Sequence, residues 1–305
     1  MTRRDKLLAY AQLVRLPNVF TAFADIALGA CAAGYLLERP GTFALLLLAS
    51  GCLYLAGMAF NDMTDRREDA RSRPFRPIPS GRVPLRAALF VGVILWNLGL
   101  AFAAGTRLTL PPPEAGQFQP AHAALLVGLA VMLYDFVLKP TPLAPLGMGL
   151  CRFLNVLLGL TAGGAALSPV GLHLAAVVGL YIVGVTWFAR TEEGESQKSH
   201  LLAASGVMLL SLGLALAVPL HRDPGTTFPG FPYLLVAFGF WVGLPIVAAI
   251  REPSPKRVQA AVKACVLGLV LLDAVLATAF VGPAGLLIAL LLIPARYIGR
   301  WVYST

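Results

Sequence analysis

The chain has 305 residues, of which 58% are hydrophobic and 13% charged, with a formal net charge of +9 and a mean hydropathy of +0.76. A soluble domain carries about 25% charged residues, so there is too little polar sequence to cover a soluble core. The continuous apolar runs also exclude a transmembrane β-barrel, whose strands alternate over about ten residues.

A spanning helix needs about 20 apolar residues. Apolar runs between turn-rich breaks predict an all-α, polytopic membrane protein with roughly nine to ten transmembrane helices. The runs lie over 17–37, 41–60, 84–104, 120–138, 146–166, 169–190, 199–219, 231–250, 259–280 and 283–301. Only Val281-Gly282-Pro283-Ala284 separates the last two, so one broken helix is the alternative. The whole of 1–305 reads as a single domain. The N-terminus, MTRRDKLLAYAQLVRLPNVF, has no small-residue cleavage site after a short apolar core and is expected to be retained.

The positive charge marks orientation. Of 24 Lys and Arg residues, a cytoplasmic N-terminus leaves only Arg39, Arg107 and Arg222 outside, with Arg152 inside a helix. This bias predicts a cytoplasmic N-terminus, an even helix count and a bacterial inner-membrane location. Nucleic acid is not an expected partner.

In chain order, the first helix opens with Arg15 and Asn18 at i, i+3 spacing. The second ends in NDMTDRRED, Asn61 to Asp69, followed by the basic ARSRPFRPIPSGR. Continued at about 100° per residue, Asn61, Asp62, Asp65, Glu68 and Asp69 fall within an arc of roughly 120°. Acids gathered so closely resist ionising together. A divalent cation relieves that repulsion, and hard oxygen ligands suit Mg²⁺ held with substrate phosphates. The bland alternative is a solvated acidic loop with Asp–Arg pairs.

The fourth helix closes on Tyr134 and Asp135, with Lys139 next. The fifth carries Arg152 and Asn155 about two turns in. Intramembrane ionisable groups are functional candidates by default, and these lie at the depth of one cytoplasmic-side cavity. Arg and Lys there suit diphosphate oxygens. For Arg152 the alternative is a structural ion pair with Asp135. Asp25, Asn97 and Asp273 lie deeper and read as interhelical hydrogen-bonding groups, with an acceptor contact as the alternative for Asp25. The sixth helix ends in a second acidic stretch, ARTEEGESQKS, in which Glu192 and Glu195 share a face. A plain solvated loop is its alternative.

Cys31, Cys52, Cys151 and Cys265 lie in apolar runs without metal-ligand spacing and read as buried hydrophobes. The four scattered histidines make no metal pair by sequence spacing.

These residues resemble a known family. NDMTDRRED is similar to the first aspartate-rich motif of the UbiA superfamily of intramembrane prenyltransferases, N-D-x-x-D-x-x-x-D. RSRPFRPIPSGRV, VRLPNVFTAFADIALG, YDFVLK and GLCRFLNVLLG resemble further segments of that family, as far as about residue 200. The R-x-L-N helix and the glutamate-rich second motif are most similar to its EboC-like branch. The resemblance implies a ring of helices around a cavity capped by two acidic motifs that hold a prenyl diphosphate through Mg²⁺.

Carried over residue by residue, it implies Asp62, Asp65 and Asp69 as catalytic metal ligands, with Glu192 and Glu195 as further ligands. Asn18, Asn61, Arg71, Arg76, Tyr134, Lys139, Arg152 and Asn155 are the implied substrate-binding residues. The expected function is Mg²⁺-dependent transfer of a prenyl group to a lipophilic, aromatic acceptor within membrane lipid. Glutamates where the family has D-x-x-x-D put the second metal in question. That departure leaves a second reading, a carrier of an amphipathic small molecule on the same fold.

Overall fold

The structure, a computed structural model, describes residues 2–112, 117–190 and 196–302. The described residues are helical with no strand. The N-terminus forms a helix of its own, α1 (Arg3–Leu13), where the sequence reading placed no element. Its start is a capping box: the Asp5 amide donates to Thr2 Oγ1 at 3.1 Å, and the Thr2 amide donates to Asp5 Oδ2 at 2.9 Å. Arg15 then takes a left-handed backbone, φ 46° and ψ 51°. A 3-10 turn, Leu16–Asn18, follows and leads into α2 (Val19–Ala32). The chain bends by 47° at this junction.

The second expected helix is much longer than the 41–60 apolar run. It is α3 (Pro40–Ser72), 33 residues. At about 1.5 Å per residue it overshoots the roughly 30 Å hydrocarbon core, so its last three turns carry the acidic stretch clear of the apolar layer. The remaining long helices are α4 (Leu85–Gly105), α5 (Pro120–Leu133), α6 (Ala144–Leu160), α7 (Pro169–Ala189), α8 (Lys198–Leu216) and α9 (Phe231–Arg251). After them come α10 (Pro255–Val281), a 3-10 arm over Gly282–Leu291 and α11 (Leu292–Ile298).

Among the described residues, eight helical segments are long and apolar enough to cross a membrane, and the bent pair at the N-terminus makes a ninth. The eighth, Pro255–Ile298, has 44 residues, about twice what one crossing needs. It reverses at Gly282, whose φ of 65° and ψ of −152° suit glycine alone. The arm beyond folds back until Gly285 lies against the Thr278 and Ala277 backbone. The expected last helix is therefore present as this mostly 3-10 arm.

Neighbouring helices pack in chain order from α2 to α10, and α10 closes the ring on α2. Helix α2 also packs directly on α6. Gly29 and Gly159 allow that approach: a Cβ on Gly29 would lie 2.6 Å from Gly159 C, and one on Gly159 would lie 2.9 Å from Ile26 O. The Tyr35 hydroxyl donates to Gly159 O at the same crossing. Cys31, Cys151 and Cys265 are buried and unbridged, and Cys52 is half-buried and free.

Candidate active site

Helix α3 supplies the floor plan of the acidic lip. Asn61, Asp62 and Asp69 are buried and Asp65 is half-buried, so four of the five residues on the expected arc face inward. Glu68 is the exception; it is exposed. Three cations from three different elements meet the three aspartates. Arg15, at the bend before α2, reaches Asp62 Oδ1 through Nη2 at 3.1 Å. Arg76, in the loop after α3, donates from Nη1 to Asp69 Oδ2 at 2.7 Å and lies 3.7 Å from Asp62 Oδ1. Lys139 Nζ pairs with Asp65 Oδ2.

The end of α5 brings two of these groups into place by a route the sequence pattern hides. Residues Tyr134–Leu138 form a π-turn, closed by the Lys139 amide on Tyr134 O at 2.9 Å. Pro140 follows; its ring crowds the carbonyl of the residue four before it, and a widened turn relieves that clash. The widening lets Asp135 accept from Asn61 Nδ2 at 3.3 Å while Lys139 reaches Asp65. Asn61 Oδ1 in turn accepts from Arg15 Nη2 at 3.3 Å. Acids, amide and cations thus form one connected lip.

Beneath the lip a cavity runs between α2, α3, α5 and α6. Tyr134 and Asp135 line its upper end, and Tyr54, Ser50, Arg152 and Asn155 its lower end. Met58, Val127, Val131 and Met148 give it apolar walls. Arg152 and Asn155 are buried and already engaged. Arg152 donates to Asp25 Oδ2 at 3.0 Å and to Thr21 Oγ1 at 2.7 Å, and its guanidinium lies 5.2 Å from the Tyr54 ring centroid. Asn155 Nδ2 donates to Asp25 Oδ2 at 2.7 Å, and its Oδ1 accepts from Ser50 at 2.7 Å.

The structure therefore gathers Asn61, Asp62, Asp65, Asp69, Arg76 and Lys139 at the lip, with Tyr134 just below. Arg152 and Asn155 sit at the cavity floor instead, and the partner of Arg152 is Asp25 rather than Asp135. Asn18 ends the 3-10 turn before α2, and its carbonyl accepts from Thr21 Oγ1 at 2.7 Å. Arg71 is exposed and stands apart from these ion pairs. Glu192 and Glu195 fall outside the described residues. Asn97 is exposed and donates to Val93 O of its own helix at 2.8 Å, not to another helix as expected. Arg15 and Asp135 belong to the lip although neither was among the expected binding residues. The sequence marked Asp135 as an intramembrane ionisable group and Arg15 by its i, i+3 spacing to Asn18, but carried no hint of the left-handed turn that aims the Arg15 guanidinium.

Three carboxylates and an amide make an all-oxygen donor set of the kind Mg²⁺ takes. Among the described residues no three acids, histidines or cysteines converge into a closed metal cage. An open set is what Mg²⁺ shared with substrate phosphates requires, since the protein then supplies only one or two carboxylates per ion.

The UbiA prenyltransferase family model matches residues 22–261. Digeranylgeranylglyceryl phosphate synthase of Methanopyrus kandleri is 29% identical over 81% of this chain and 87% of its own. The protein of the same name from Natronomonas pharaonis is 31% identical over 80% of this chain and 83% of its own. A solved structure of a digeranylgeranylglyceryl phosphate synthase superposes with a TM-score of 0.65 at 20% identity, covering 90% of this chain and 99% of that one. A UbiA homologue from Archaeoglobus fulgidus, bound to GPP and Mg²⁺, superposes with a TM-score of 0.62 at 15% identity over 88% of this chain and 99% of that one.

Proposed function

Since the chain belongs to the UbiA prenyltransferase family, we propose that its lip and cavity transfer a prenyl group from a prenyl diphosphate to a lipophilic acceptor within the membrane, with Mg²⁺ as cofactor. The observation that carries this reading is the matched set of three aspartates on one helix face and three cations from separate elements, at the mouth of an apolar-walled cavity.

Asp62, Asp65 and Asp69 are each already paired with a cation. Asp62, Asp65 and Asp69 would hold Mg²⁺, which when bound offsets the charge of the diphosphate leaving group. Arg15, Arg76 and Lys139, freed from the acids, then have donors for the diphosphate oxygens. Tyr134 and Asp135 sit where the lip meets the cavity, so the isoprenoid enters past them along Val127, Val131 and Met148. The C1–O bond breaks with its electron pair leaving on the diphosphate, and C1 forms a bond to the acceptor, which gives up one proton. The apolar walls keep water from the allylic cation. The excess of cations flanking the lip supports a cytoplasmic position for it.

The acceptor expected from the sequence is aromatic. The names of the relatives favour testing first a glyceryl phosphate that already carries a prenyl chain. Purified protein with Mg²⁺ and C10 to C20 prenyl diphosphates, assayed for pyrophosphate release over glyceryl phosphate lipids, quinols and phenols, decides between them. No release with any acceptor, and no protection of the protein by prenyl diphosphate, would overturn the proposal.

A further inference from the structure

A second cavity lies at the opposite end of the bundle. It has a volume of about 370 Å³ and is lined by Arg39 and Arg107 together with Leu110, Phe118 and Pro120. Arg39 is the N-cap of α3, and the lip acids lie at the other end of that helix. At about 1.5 Å per residue the two sites are some ~35 Å apart.

The orientation bias leaves only three cations on this side, Arg39, Arg107 and Arg222, and two of them line one cavity. Neither is neutralised: no ion pair forms at Arg39 or Arg107 among the described residues. Arg39 Nη1 donates to Ala162 O at 2.9 Å, which anchors the guanidinium and leaves its other edge for a ligand. Arg107 is exposed and makes no hydrogen bond among the described residues. Guanidiniums without an ion pair among the described residues attract anions, above all phosphate esters, which they meet with forked hydrogen bonds. The cavity also exceeds what inorganic phosphate needs and falls in the range of pockets that take small organic ligands, roughly 300–1,000 Å³. Its apolar side, Leu110, Phe118 and Pro120, suits carbon attached to that phosphate.

From this we infer that the cavity at Arg39 and Arg107 is a binding site for the phosphate ester of an amphiphile, separate from the transfer site. A lipid headgroup and a free phosphate share this chemistry, and the test separates them. The full chain in detergent is titrated with dioctanoyl phosphatidylglycerol, with dioctanoylglycerol of the same chains, and with inorganic phosphate, reading binding by calorimetry and melting temperature. Phosphatidylglycerol should bind and raise the melting temperature, and dioctanoylglycerol should not. Loss of charge-assisted hydrogen bonds in Arg107→Gln and in Arg39→Gln/Arg107→Gln should weaken binding by about tenfold or more. Equal binding by inorganic phosphate would overturn the assignment to an amphiphile and leave a free-phosphate site. Arg107 has no hydrogen bond or ion pair to lose among the described residues, so Arg107→Gln should fold normally even if the Arg39 change weakens the Ala162 contact. Binding of phosphatidylglycerol unchanged in both variants, or matched by dioctanoylglycerol, would overturn the inference.

Discussion

Arg152 and Asp25 face each other across the α2–α6 crossing, Nη1 to Oδ2 at 3.0 Å, with the Asp25 side chain fully buried. Breaking a buried pair by removing one partner costs about 3–5 kcal/mol, because the other charge stays behind. Asp25→Ala should therefore lower the melting temperature in detergent far more than Ser50→Ala at the edge of the same network. Equal losses would show that Arg152 finds another counter-charge.

Asp273 of α10 is fully buried, and neither of its oxygens meets a hydrogen-bond donor among the described residues. A buried carboxylate with no donor is costly to keep charged, so Asp273→Asn, which removes the charge at nearly the same size, should melt at or above the wild type. A large loss in Asp273→Asn would show that a charge at Asp273 is used by the fold.

At the lip, Asp62→Asn and Asp65→Asn should each reduce turnover by about a hundredfold or more. Asp65→Asn, at a half-buried position, should leave the melting curve in place, whereas Asp62→Asn, which leaves Arg15 and Arg76 without that partner, should also lower it. Removing a group that stabilises transition-state charge has effects of about that size. Chelation with EDTA should stop turnover, and added Mg²⁺ should restore it. If both variants retain full activity, these aspartates do not hold the metal.

Arg15 separates side-chain from backbone effects. A left-handed conformation costs a residue with a Cβ about 1–2 kcal/mol, and glycine escapes that cost. Arg15→Gly should therefore melt higher than Arg15→Ala, although both lose the contact to Asp62 and should lose activity alike. Equal melting temperatures would remove backbone strain from this turn.

Much of this was legible from the sequence because it is local. The arc of Asn61, Asp62, Asp65 and Asp69 needs only a helix that continues past its apolar run, and α3 does continue. The pairing of Asp25 with Arg152 joins residues far apart in sequence, through a crossing that depends on Gly29 and Gly159 lacking side chains. Helical periodicity contains no such information. The break at Gly282 was read from Val281-Gly282-Pro283-Ala284, but the π-turn at Tyr134–Leu138 and the 3-10 winding of Gly282–Leu291 escaped for a related reason. Each departs from the 3.6-residue period by which apolar runs are read.

The pairing of Asp62, Asp65 and Asp69 with cations of the protein has a thermodynamic consequence. Under the proposed function, a metal ion arriving alone must pull Asp62, Asp65 or Asp69 from a cation and leave that cation unmatched. A diphosphate arriving alone strands the acids in the same way. When both arrive, acids and cations exchange partners together and less charge is left unmatched than when either arrives alone. Donor and metal should therefore show strong positive heterotropic linkage, and because linkage is reciprocal, each must raise the affinity of the other by the same factor.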